Sequence, residues 1–204
     1  MSRLFARGRQ VSRRLMRWDS GSALVEFAIS LPLLVVLVVG IFDFGGAFNQ
    51  KQILNNAARE GARFGASQPT NDLCTACTAT PGSVDAIRYL VDSYLLAAHV
   101  NDCGLSSAAA PTAGPPWAYT ANTGCAGTLT LTIDRGYSAS GALNSCPAVA
   151  EVIGGVTIYA YCTKVTIAYP YQSHFNNVIQ LVSPGATFAS VPLINTNATA
   201  VNMD

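Results

Sequence analysis

Glu26 stands in GSALVEFAISLPLLVVLVVGIF, residues 21–42, as the sole acid of an otherwise uncharged apolar run. A charged side chain costs roughly 2.5–3.5 kcal/mol at the centre of a membrane span by insertion scales, so a carboxylate in such a run calls for a compensating group. It either reaches back to lipid headgroups, being close to the start of the run, or pairs with a positive charge at the same depth. The second set of reactive residues is Cys74, Cys77, Cys103, Cys125, Cys146 and Cys162, all beyond the apolar run. An even set of this kind reads as disulfides on the oxidising side of a membrane, with connectivity left open by the spacing. CTAC at 74–77 has the spacing of a redox pair or half a zinc site, but no second close pair and no adjacent His completes either. His99 and His174 are far apart and lack metal-like neighbours, and no nucleophile elbow, phosphate loop or dinucleotide fingerprint is present. The expectation is a protein without catalytic site, metal, cofactor or nucleic-acid partner.

The elements that position these residues follow from charge and periodicity. Arg3, Arg7, Arg9, Arg13, Arg14 and Arg17 precede the apolar run, and no further Lys or Arg occurs until Lys51. The positive-inside rule then places the N-terminus in the cytoplasm and the remainder outside it. From Ser22 to Phe42 a helix would extend about 31 Å at roughly 1.5 Å per residue, which matches a hydrocarbon core of about 30 Å. Pro32 inside this run removes one helix bond and predicts a kink or local opening. Charged residues make up only 11% of the chain, against about 25% in average globular domains, which suits a span followed by a secreted or surface domain.

Asp19 and Ser20 are turn or cap residues expected to stop the helix from extending backwards, and Gly21 is a flexible, unhindered position. Beyond the span, Leu54, Ala58, Ala62 and Ala66 recur at i, i+4 spacing beside Ala57, Gly61 and Gly65. This small-residue face of a helix continuing to Ala66 lets another element approach closely. Packing on the protein's own domain and helix–helix assembly, through Leu54, Ala58, Gly61 and Ala62, are both open uses of it. A second amphipathic helix is predicted from Val84, with Ser83 as its N-cap, and residues 101–127 read as a long loop. Period-two alternation predicts strands at 128–134, 156–161, 164–171 and 187–193, a Gly154–Gly155 hairpin turn, and an edge strand in NTNATAV at 195–201. The expected fold is α+β: a long N-terminal transmembrane helix packed with a small antiparallel sheet and a second helix, stapled by disulfides. Tyr159, Tyr161, Tyr169 and Tyr171 alternate along the strands, as either a core stripe or an exposed adhesive surface.

GSALVEF resembles the processing site of class III signal peptides, in which a Gly precedes the cut and a Glu followed by an aromatic lies five residues into the mature chain. Here these are Gly21, Ser22, Glu26 and Phe27. DFGGAFNQKQILNNAAREGARFGA, residues 43–66, is similar to the region after the span in TadE-like pseudopilins, minor pilin-like proteins of tight-adherence (Tad, Flp-type) pilus systems. The resemblance covers residues 20–66 and implies a pilin-like arrangement. It divides the chain into a basic leader (1–21) removed by a prepilin peptidase, a transmembrane and assembly helix (22–66), and an extracytoplasmic α+β domain (67–204). It further implies residence in a bacterial inner membrane, partnership with other pilin subunits and the Tad secretion machinery, and a role in adhesion. The glutamate would then pair with the new N-terminal amine of a neighbouring subunit. The alternative is an ordinary signal-anchored or secreted disulfide-rich domain that binds a surface ligand. A secretory cut would fall after the apolar run, where GIFDFGGAF offers small residues.

Overall fold

The computed structural model describes residues 19–73, 79–111, 114–136, 149–172 and 192–202. Helix α1 runs unbroken from Asp19 to Ala66 and contains Pro32. It is already helical at Asp19 and Ser20, so these residues do not stop it as the sequence led us to expect. An aspartate suits the first turn of a helix, where it meets the positive end of the dipole, and a single glycine there costs only about 1 kcal/mol.

Helix α2 spans Gly82–Ala97. Ser83 is not its N-cap: Pro81 occupies that position, and the cap comes from a distance. The Asp72 carboxylate accepts the Ser83 N–H at 2.8 Å and the Ser83 hydroxyl at 3.1 Å. A charged acceptor at an orphan helix N–H serves as well as a local cap and complements the dipole. Val84, Ile87, Val91 and Leu95 form the buried stripe of α2.

Strands β1 (Trp117–Ala121), β2 (Leu129–Asp134), β5 (Cys162–Pro170) and β6 (Leu193–Val201) form an antiparallel sheet in the order β1-β2-β5-β6. β3 (Val149–Ile153) and β4 (Val156–Ala160) pair separately as a hairpin turned by Gly154 and Gly155. Both glycines have positive φ, at 60° and 83°, the backbone conformation that tight hairpin turns demand. The predicted strands at 128–134, 156–161 and 164–171 are present, and NTNATAV lies in edge strand β6. Most of the expected 187–193 strand falls outside the described residues. β1 corrects the reading of 101–127 as a loop, since its Trp117, Tyr119 and Ala121 point inward in strict alternation.

Helices α1 and α2 pack side by side on one face of the sheet, α1 over β5 and β6 and α2 towards β2. The core joins Leu54, Ala57, Ala58 and Ala62 of α1 to Ile87 and Val91 of α2 and to Leu131, Ile133, Val165 and Ile167 of the sheet. Each fully buried branched side chain contributes roughly 1.5–3 kcal/mol. The opposite sheet face carries Thr120, Thr130, Thr132, Thr166, Asn195 and Asn197, partly or fully exposed.

Candidate assembly helix and its junction with the outer domain

The first half of α1 is bare. Its most apolar window has a mean hydropathy of 2.6 and none of it is buried. Leu24, Phe27, Ile29, Leu33, Ile41 and Phe42 are all largely exposed. A helix this apolar and this long can cross a membrane. Gly21, Ser22, Glu26 and Phe27 lie on its exposed first turns, with nothing within 4 Å of the position a Gly21 side chain would take. Ser22 and Glu26 share a face by i, i+4 spacing.

The second half of α1 is packed. Leu54 and Ala58 are fully buried and Ala62 nearly so, and Gly61 faces Val91 and Val165. Of the two uses open to this small-residue face, the structure has packing on the chain's own domain. Lys51, Gln52, Arg59, Glu60 and Arg63 form the exposed side, with Arg63 and Glu60 in an exposed contact at 3.6 Å. Such a surface pair adds little stability.

Between the halves, the helix meets the membrane-proximal end of the sheet. The Tyr171 hydroxyl lies 2.9 Å from the Asp43 carbonyl oxygen and 3.1 Å from its carboxylate Oδ1, donating to this pair of acceptors. Gly46 permits the approach, since a β-carbon there would sit 3.3 Å from the same hydroxyl. Burial, then the neighbouring Asp43, pushes the Tyr171 phenol above its ordinary range. Tyr169 is buried beside it, donates to the Asn101 carbonyl at 3.0 Å, and is likewise raised, chiefly by burial. These two tyrosines face α1, and Tyr161 alone of the described pair-mates is exposed. The adhesive stripe considered above is therefore not formed by them. A cavity of about 470 Å³ opens at this junction, lined by Val39, Phe42 and Asp43 on the helix and by Asn101, Tyr169 and Tyr171 opposite.

The far end of α1 is held by Arg135, a residue the sequence reading missed. It is fully buried and donates to the carbonyls of Gly65, Gln68 and Pro69 at 2.8, 2.8 and 3.1 Å. Asp72 stands 3.8 Å away. A cation placed on the last carbonyls of a helix satisfies orphan acceptors and opposes the negative end of the dipole. One signal was available. Only Arg88, Arg135 and Lys164 supply positive charge after residue 66, and two of those three are buried. Arg88 donates to the carbonyls of Leu105 and Ser106 at 2.9 and 2.7 Å and contacts Asp85 at 3.4 Å. Asp85 in turn accepts the Tyr119 hydroxyl at 2.7 Å.

Cys103 and Cys125 form a disulfide with a Cα–Cα distance of 5.4 Å. Cys162 is also disulfide-bonded, while Cys74, Cys77 and Cys146 lie outside the described residues. No group of three or more metal-binding side chains occurs among the described residues.

A bare apolar helix whose continuation packs beside a second helix on an antiparallel sheet has the architecture of a helix-anchored, pilin-like subunit. Residues 21–63 match the model of the family described as TadE-like protein. The TadE-like resemblance read over residues 20–66 is borne out across that stretch, and the match begins at Gly21. No curated protein and no solved structure matches the chain.

Proposed function

We propose that the chain is a minor pilin-like subunit acting in assembly of a Tad-type pilus, with a structural rather than catalytic role. In this reading a prepilin peptidase cuts between Gly21 and Ser22 at the cytoplasmic face and removes residues 1–21. The mature helix stays in the inner membrane with the domain from residue 67 outside. The new amine of Ser22 then lies one helical turn from Glu26, and the carboxylate of one subunit pairs with the amine of another, each relieving the cost of the other near hydrocarbon. Other pilus subunits and the Tad secretion machinery are the partners, and adhesion and surface colonisation the biological use.

The observation that carries the reading is the TadE-like match starting at Gly21, on a helix whose following residues have no cover from the chain's own domain. A peptidase needs an extended bond, and Gly21, with the lowest helix propensity of any residue but proline, lets the first turn open. N-terminal sequencing of the membrane-extracted protein tests the proposal. A start at Ser22 is expected. An intact Met1 would overturn it, and loss of the whole apolar run would favour the signal-anchored or secreted disulfide domain instead.

A further inference from the structure

The turn that follows α2 is held under strain. His99 and Cys103 have φ of 56° and 55°, in the left-handed region that side chains other than glycine adopt only at a cost. From there the chain packs back against α2, with Leu105 fully buried. Arg88 holds it in place through the carbonyls of Leu105 and Ser106. The Cys103–Cys125 bond ties the same turn to the loop at 122–125, and Asn101, Gly124 and Cys125 line the junction cavity. This strained turn is therefore part of the cavity wall opposite α1.

A second group on α2 faces the turn. Asp92 shares the face of Arg88 by i, i+4 spacing and is only 6% exposed. Its Oδ1 is buried and accepts no hydrogen bond among the described residues, a state that is costly for an ionised oxygen but not for a protonated carboxyl. The Asp102 carboxyl of the turn stands beside it. Two neighbours favour the charged form instead, Arg88 on α2 and the Ser106 N–H on the turn. Arg88 is itself engaged by Asp85 and lies 5.3 Å from the Tyr119 ring of β1, while Tyr169 of β5 feels the Asp102 charge. His99, exposed at the start of the turn, is the other titratable side chain of this segment.

We propose that Asp92 and Asp102 form a proton latch: a proton shared by the two carboxyls closes the turn at 101–107 onto α2, and its loss to solvent releases the turn and opens the cavity wall. Burial, followed by Asp102, pushes Asp92 up to about 6, so the closed form binds the proton more tightly than the released one. Closure is then complete in acid and is lost as pH rises through about 6. Above that point two carboxylates face each other away from water, and release also relieves the strain at His99 and Cys103. The latch is independent of the membrane and pilus readings.

Native-state hydrogen exchange on the full chain in detergent micelles tests it. The amides of Leu105 and Ser107 donate within the turn to the carbonyls of Asp102 and Gly104, and a single turn lifted off its support does not keep such bonds. After division by intrinsic exchange rates, opening at these amides should be about tenfold greater at pH 7.5 than at pH 5, the ratio that linkage gives for a carboxyl moved from the ordinary aspartate range to about 6. It should also be insensitive to low urea, as local opening is. D92N, neutral at every pH, should keep the turn closed and erase the ratio. D102N removes the facing charge but leaves the burial, so it should reduce the ratio, and it carries the test where D92N does not fold. Equal protection at the two pH values overturns the latch, and so does a tenfold ratio that survives D92N or is unchanged by D102N. Exchange at Leu105 that rises with urea in parallel with Leu131 overturns it as well, because the pH effect then belongs to global stability alone.

Discussion

The guanidinium of Arg135 stands 2.8 Å from the carbonyl oxygen of Gly65, 70 residues earlier in the chain, so the residue after β2 closes the last turn of α1. With Gln68 and Pro69 it satisfies three backbone acceptors from a side chain with no solvent exposure. Arg135→Met keeps most of the volume but strands those acceptors. Leaving a buried acceptor unsatisfied costs about 1–3 kcal/mol. Urea unfolding of the outer domain, followed by fluorescence of the buried Trp117, should show a loss of that size.

Gly65 and Gly61 predict opposite outcomes for the same substitution. A β-carbon at Gly65 would come within 2.6 Å of Thr163 Cγ2 and 2.7 Å of Ile87 Cδ1, whereas at Gly61 the nearest atom is Val91 Cγ2 at 3.0 Å. Alanine gains roughly 0.5–1 kcal/mol over glycine within a helix. At Gly61 that gain is comparable to the strain of moving one methyl group, and G61A should be near neutral. At Gly65 two walls must yield, and overpacking of about 1–3 kcal/mol should prevail. A lower thermal midpoint for G65A than for G61A is the expected result.

These cases show why some of the structure was legible in the sequence and some was not. β2 and β5 were readable because Leu129, Leu131 and Ile133, and Val165, Ile167 and Tyr169, alternate with partly exposed residues over a full strand. The small-residue face of α1 was readable because its signal is local and repeats at helical spacing. β1 was hidden by brevity, since only five residues follow a run rich in Ala and Pro, and by its place at a sheet edge. Arg135 and Asp72 were hidden for a different reason. Their partners are distant backbone groups, whose positions no side-chain pattern announces. The proposed processing segment draws on no tertiary information, because that reading rests on the spacing of Gly21, Glu26 and Phe27 alone.

Asp92 makes stability depend on pH in a defined direction. It is buried on α2, and burial, followed by the adjacent Asp102 carboxyl, pushes its pKa up to about 6, with Arg88 opposing. Below about pH 4 both the folded and the unfolded state hold the proton. Between that point and pH 6 the folded state binds more protons, so stability falls as pH rises; above pH 6 it levels off. The two carboxyls titrate as a pair, so the transition belongs to both. Thermal midpoints should be higher at pH 5 than at pH 7.5, and D92N should flatten the difference. A midpoint that rises over this window would contradict the assignment.

The Cys103–Cys125 disulfide closes a 22-residue separation, for which chain-entropy reasoning gives about 3 kcal/mol of stabilisation. What it holds is also specific. The Thr123 N–H donates to the Cys103 carbonyl at 2.8 Å, and the Asn101 side-chain amide donates to the Gly124 carbonyl at 2.8 Å. The Asn101 backbone carbonyl meanwhile accepts the Tyr169 hydroxyl, so the bridge braces the wall of the cavity opposite α1. Replacing both cysteines with alanine should lower the denaturation midpoint in step with that energy. Local opening should concentrate there too, because the interior strands β2 and β5 keep both neighbours without the bridge. Hydrogen exchange at Cys103 and Thr123 should therefore accelerate more than at Leu131 and Ile167. Uniform acceleration across all four would mean that the bridge acts through global stability alone and not as a brace for this wall.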